Sequence, residues 1–184
     1  MKTILAFDTA TSYGAVCGLA AGAPVRAARA GDLLRAVDRL IADPAELDAI
    51  VVGRGPGSFT SIRIGLAAAR ALAFALDVPV AGASTLAAFE HGTPVLDARR
   101  GEVFTLGPRV CRPEELQVAG QTLLGDGAVR YRELFESAGA AVPPDDDERH
   151  VPVPRLLIER AGAFGAAELI EPLYVREPDA QPLP

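Results

Sequence analysis

The chain has 184 residues, 49% of them hydrophobic, which is enough for one ordinary domain or two small lobes with a real core. Its net charge of −6 and pI near 5.0 argue against a free-standing nucleic-acid binder, because neutralising phosphates takes clustered cations and the arginines here are scattered among acids. If RNA is involved, another chain is expected to supply the basic surface. Cys17 and Cys111 are single and far apart, so they read as reduced thiols of a cytosolic protein and not as a disulfide framework or metal site.

Residues 1–7 open like a secretory signal, but Asp8 interrupts the apolar run and no small-residue cleavage site follows, so they are read as a first strand. Residues 2–7, 14–20 and 24–30 are short apolar runs between polar or Gly/Pro punctuation, which suggests an antiparallel meander. The period then changes: Leu33, Leu34, Val37, Leu40 and Ile41 form one helical stripe, with Asp32, Arg35, Asp38 and Arg39 opposite and Pro44 closing the segment. A buried strand is expected over residues 49–52, a long alanine-rich helix over 60–76, a strand over 78–82, a short helix over 85–90 and a strand over 93–97. The longest apolar stretch, residues 66–76, is broken by Arg70 and falls short of the roughly 20 residues a membrane span requires. After Asp97 the pattern restarts more raggedly: strand 102–106, a helical turn at 113–116, strand 122–125 and helix 129–138. Residues 141–154, with their prolines and the run Asp145-Asp146-Asp147-Glu148, read as a solvated loop. A closing helix over 156–164 and a proline-rich tail that frays from Glu177 complete the chain.

Between the strand at 49–52 and the long helix stands Gly53-Arg54-Gly55-Pro56-Gly57-Ser58. Glycine permits positive φ and close approach, and a helix start leaves unpaired N–H groups, so such a corner suits an anion or a tightly packed neighbour. It is not a Walker A loop, because Lys2 is the only lysine, and its G-x-G-x-G spacing is not the dinucleotide fingerprint G-x-G-x-x-G. The plainer alternative is a glycine turn that starts a helix with Ser58 or Thr60 as its N-cap.

Three strands followed by helix, strand, helix, strand is the order of a ribonuclease H-like lobe. The expected fold is therefore α/β, with two lobes of the actin, Hsp70 and sugar-kinase type, the first over residues 1–97 and a reduced second over 98–184.

Five separated segments carry a family resemblance. These are Ile4-Leu5-Ala6-Phe7-Asp8-Thr9-Ala10-Thr11; the run from Gly53 to Gly65; Gly82-Ala83-Ser84-Thr85-Leu86; Asp97-Ala98-Arg99-Arg100-Gly101-Glu102-Val103-Phe104; and Glu171-Pro172-Leu173-Tyr174-Val175-Arg176. In order and over nearly the whole chain they resemble the TsaB (YeaZ) family, bacterial partners of the enzyme that makes threonylcarbamoyladenosine beside the tRNA anticodon. The chain departs from that pattern where members carry a His-Ser/Thr pair before the first helix and this sequence has Ala30-Gly31-Asp32, and its second lobe is shorter than customary.

The resemblance implies a non-catalytic scaffold and activator that binds a TsaD-type catalytic subunit, with a TsaE-type ATPase joining the pair. It implies that tRNA is reached only through the complex, that a homodimer forms through the same surface when the chain is alone, and that ATP and metal belong to the partners, none being bound tightly by this chain. The implied interface is the first helix (Leu33, Leu34, Val37, Leu40, Ile41) with the glycine loop and its helix (Gly55, Pro56, Ser58, Phe59, Arg63, Leu66, Ala69, Arg70, Ala73). Ile62 belongs to the same apolar set. The protein is expected in the cytoplasm, with no membrane contact.

Asp8, Thr9 and Thr11 sit where actin-like ATPases place a phosphate-side turn, and Asp97 could pair with Asp8 across a cleft. The glycine that such enzymes use after the aspartate is absent, so these four residues are read as a vestigial nucleotide site or as braces of strand ends. The rival function is a stand-alone nucleotide-dependent phosphotransferase of the actin-like group. A metallopeptidase is the other, but His91 and His150 stand apart without a partner at ligand spacing. Ser58 and Ser84 have no histidine in a triad pattern.

Overall fold

The computed structural model describes residues 2–176. The tail expected from Glu177 lies outside the described residues. The first sheet is built from β1 (Ile4–Asp8), β2 (Ala15–Leu19), β3 (Val25–Ala27), β4 (Ala49–Gly53) and β5 (Val80–Ala83), in the order β3-β2-β1-β4-β5. The first three strands are antiparallel, as the punctuated runs imply, and β4 and β5 join in parallel, so that Phe7 lies opposite Cys17 on one side and Val52 on the other.

Alternation along the central strands divides them between two covers. Leu5, Phe7, Ile50 and Val52 face α1 (Leu33–Leu40) and α2 (Phe59–Leu76), whereas Ala6, Val51 and Ala81 face α5 (Pro154–Glu159). Both faces are thus closed, which is why β1 and β4 read as near-continuous apolar runs. The closing helix was expected to run to residue 164 within the second lobe. It ends at Glu159 and packs on the first sheet, because the backbone turns extended beyond it: Gly162 N–H donates to Gly82 O, and Gly165 pairs with Val80 as an antiparallel bridge along β5.

The second sheet comprises β6 (Thr93–Arg99), β7 (Glu102–Thr105), β8 (Arg109–Cys111) and β9 (Leu123–Leu124), in the order β8-β7-β6-β9. Its opening strand contains Asp97, so the boundary drawn after that residue falls inside β6, and the division between the sheets lies before Thr93. Residues 85–88 form a single 3-10 turn. The helix expected over 129–138 is two short pieces, α3 (Asp126–Arg130) and α4 (Arg132–Ser137), with Tyr131 off helical geometry between them. Residues 141–154 are less solvated than their composition suggests. Arg132 bonds the carbonyls of Val142 and Pro143 and the Asp145 carboxylate, and Val142, Pro143, His150 and Val151 are buried.

α2 is 18 residues long and, by length and composition alone, would pass for a membrane span, because the apolar run begins at Phe59 and not at Leu66. Its inner face lies on the sheet instead. Ile62, Gly65, Leu66, Ala69 and Ala73 are its five buried residues, and the small ones among them let the helix approach closely. Asp77, in the left-handed conformation, ends it.

Candidate functional site

The glycine loop packs against its own chain. Ser58 is the N-cap of α2, its hydroxyl accepting from Ser61 N–H. Arg54 N–H donates to Ala83 O, Gly55 N–H to the Thr85 hydroxyl and Ser58 N–H to Ala10 O, so three loop donors are already used. A Cβ at Gly57 would come within 2.3 Å of Ala10 O. The close-neighbour reading of this corner describes it, and the anion-cradle reading does not.

Asp8 is buried directly beneath that loop. Its carboxylate accepts from Thr85 Oγ1 at 2.6 Å and Ala10 N–H at 2.7 Å, and a Cβ at Gly53 would stand 1.8 Å from Oδ2. Burial raises its pKa, and the bonds from Thr85 and Ala10 pull it partly back. Thr9 is also fully buried, donating its hydroxyl to Ser61 O in the space that Gly65 leaves. Asp8 and Thr9 therefore brace β1, α2 and the 85–88 turn and do not open onto a cleft. Thr11 and Asp97 do line one, a cavity of about 890 Å³ between the two sheets, so the residues read as one phosphate site are split. The carboxylate that spans the cleft floor is Asp126, which sequence reasoning missed: it accepts from Ser12 N–H of the first lobe and Asp97 N–H of the second. Asp97 itself accepts from Arg99 N–H and pairs with Arg99 and Arg130.

His91 is exposed, whereas His150 is buried, with Nδ1 accepting from Gly125 N–H and Nε2 donating to Pro143 O. Among the described residues no three of His, Cys, Asp and Glu group as a metal would need. Burial pushes the Cys17 thiol up to about 11, away from the thiolate that reactivity requires.

The helical surface differs from its expected composition. Leu33, Val37, Gly55, Pro56, Ile62, Leu66, Ala69 and Ala73 are buried within the chain, so their side chains serve its own core, and Leu40, Ile41 and Ser58 are half-buried. The reason is geometric: their spacing marks the stripe that the sheet itself covers. The outward side of α2 carries Ile64, Ala67, Ala71, Phe74 and Ala75, with exposed Arg63 and Arg70 along its edge; Phe74 is 92% exposed, and Leu34 on α1 is 52% exposed. A large aromatic in an otherwise alanine-rich turn was the signal available for it.

Arg63 and Arg70, assigned above to the same interface, hold the chain's own C-terminal segment. Arg70 donates to Ala167 O and Ile170 O, Arg54 to Glu171 O, and Arg63 Nε to Tyr174 Oη. Tyr174 stacks on Phe59 at 4.8 Å, and Arg63 lies over the same ring at 3.9 Å. Arg176 then donates to Ala98 O and pairs with Glu102 of the second sheet. Residues 162–176 are thus a strap from β5 across the flank of α2 to β6 and β7.

Comparison with known proteins agrees with the family that the five sequence segments resemble. The family model described as "TsaD: tRNA N6-adenosine threonylcarbamoyltransferase" matches residues 24–136. An uncharacterised Mycobacterium tuberculosis protein is 37% identical over 153 residues, covering 76% of this chain and 69% of its own. The "tRNA threonylcarbamoyladenosine biosynthesis protein TsaB" of Haemophilus influenzae is 33% identical over 221 aligned positions, covering 95% and 93% respectively. Among solved structures, YeaZ from Pseudomonas aeruginosa superposes with a TM-score of 0.73 at 26% identity, covering 95% of this chain and all of that one. The chain belongs to the TsaB/YeaZ family, within the threonylcarbamoyltransferase group whose model it matches.

Proposed function

We propose that the protein acts in tRNA threonylcarbamoyladenosine biosynthesis as a non-catalytic subunit that docks and activates a TsaD-type catalytic subunit in the cytoplasm. The observation that carries this reading is the apolar strip of exposed residues on α2, Ile64, Ala67, Ala71, Phe74 and Ala75, on a chain whose relatives bear the TsaB name. A helix whose inner face is already closed by a sheet gains from a second helical layer over the outer one, and helix-on-helix packing of small and apolar residues is the form such a layer takes.

The order β3-β2-β1-β4-β5 supports a ribonuclease H-like first lobe, and the second sheet is its reduced counterpart. With Asp8 and Thr9 closed off, two of the three residues expected at a phosphate-side turn serve the fold, which weighs against the stand-alone phosphotransferase. ATP and metal then belong to the TsaD-type and TsaE-type partners, tRNA is acted on in the complex, and the α2 face also accounts for a homodimer when no partner is present. Reconstitution tests the assignment: the same organism's catalytic subunit, ATPase, donor-forming enzyme and tRNA yield modified adenosine only when this chain is added. Equal yield without it, or turnover by this chain alone, contradicts the reading.

A further inference from the structure

His150 is fully buried, and both of its ring nitrogens are bonded to backbone: Nδ1 accepts from Gly125 N–H at 3.0 Å, and Nε2 donates to Pro143 O at 3.1 Å. An N–H group facing Nδ1 leaves one form for the ring, the neutral tautomer with its proton on Nε2. A proton added to Nδ1 would set two donors against each other across 3.0 Å in a buried site, so the charged ring has to break from Gly125.

The charges on the neighbouring elements do not offset that conflict. Arg132 of α4 donates to the same Pro143 O, and its guanidinium opposes a second positive charge there. Asp147 favours such a charge, but its carboxylate is paired with Arg149. Asp145 is taken by Arg132, Arg130 of α3 is paired with Asp97, and Asp146 and Glu148 point from exposed positions.

What the ring holds is the start of α3. Gly125 has φ of 101°, and a Cβ there would stand 2.7 Å from Val95 O, so its backbone is pressed on β6 and leads directly into Asp126. The Asp126 carboxylate joins the lobes, Oδ2 accepting from Ser12 N–H at 2.8 Å and Oδ1 from Asp97 N–H at 3.0 Å.

We propose that His150 is a proton-operated latch: the neutral ring holds Gly125 so that Asp126 bridges the two lobes, and protonation of the ring frees that bridge at the cleft floor. The closed form needs the neutral ring, so the latch is complete above the ordinary histidine value of about 6.5 and is lost as pH falls below it. Nothing in it depends on a docked partner, and its failure leaves the assignment of the α2 face intact.

The test is amide exchange of the purified full chain, followed by NMR from about pH 7.5 to about 5.5, with each rate divided by that of an unstructured amide at the same pH. Protection at Gly125, Ser12 and Asp97 should fall about tenfold for each pH unit below about 6.5, while the amides of β1 and β4 keep theirs. Ring nitrogen shifts should place the proton on Nε2 at neutral pH. His150→Asn keeps an acceptor where Nδ1 stood and cannot take the proton, so all three amides should hold steady across the range; His91→Gln, at the exposed histidine, should behave as wild type. Asp126→Ala, at a half-buried position, should leave Ser12 and Asp97 unprotected at every pH while Gly125 still responds. Protection that does not change with pH overturns the proposal, as does a proton on Nδ1 at neutral pH. A fall at Gly125 that leaves Ser12 and Asp97 untouched overturns it too, and so does an equal fall throughout β1 and β4, which is unfolding of the whole chain.

Discussion

Arg63 and Tyr174 are 111 residues apart in the chain and meet at 3.0 Å, the guanidinium Nε donating to the phenol oxygen. One lies on the second turn of α2 and the other near the end of the strap, and Phe59 fills the space between their elements. Motif residues that look poised for chemistry are here spent on fastening the C-terminal segment to the first lobe and, through Arg176, to the second.

Tyr174→Ala removes the stack on Phe59 and the bond from Arg63, a loss of about 1–2 kcal/mol. It should lower Tm by about 3–6 °C and raise amide exchange selectively in residues 165–176. Tyr174→Phe keeps the ring and should recover more than half of the loss. Exchange that rises uniformly over the chain would mean that the strap is not a separable element.

Gly53 and Asp8 share one space, a Cβ at the former meeting Oδ2 of the latter at 1.8 Å. Gly53→Ala should cost more than about 3 kcal/mol, whereas Gly31→Ala, which meets nothing within 4 Å, should stay within about 0.5 kcal/mol. Combining Gly53→Ala with Asp8→Ala should cost less than the sum of the two, read from urea midpoints; strict additivity would contradict the shared space.

The Asp8 carboxyl titrates higher in the folded chain than its ordinary value of 3.8, chiefly because it is buried. Such a group holds its proton more tightly when folded, so its stabilising contribution is complete below that value and is lost as pH rises through the folded pKa. The stability of wild type relative to Asp8→Asn, which cannot ionise, should therefore fall as pH rises above 3.8 and level off once the folded carboxyl has ionised. A difference that is flat, or that grows toward neutrality, contradicts the burial argument.

Much of the first lobe was legible because its strands and helices carry strong periods. The stripe Leu33, Val37, Leu40 marks α1, and Ser58 marks the start of α2. What periodicity could not supply was the direction of an alanine-rich helix that is apolar all round. Ile62, Leu66, Ala69 and Ala73 read as surplus grease, yet they are the face on the sheet, and the surplus lies opposite at Ile64 and Phe74. β8 was missed because three residues, Arg109–Cys111, stand just after Pro108 with no alternation to reveal them. Nor could spacing show that Asp126 would bridge to Ser12, 114 positions away, or that Asp8 and Asp97 would face different spaces. Those relations are tertiary, and local pattern carries no trace of them.

The central claim is that the outer face of α2 is where the catalytic subunit docks. Ala71→Glu with Phe74→Glu places two charges on that face without touching the sheet side, so circular dichroism and Tm should be unchanged within about 2 °C. Calorimetric titration with the same organism's TsaD-type subunit should then show affinity reduced by at least about a hundredfold, as expected when a central apolar anchor is lost. Undiminished affinity in that folded double variant would contradict the account.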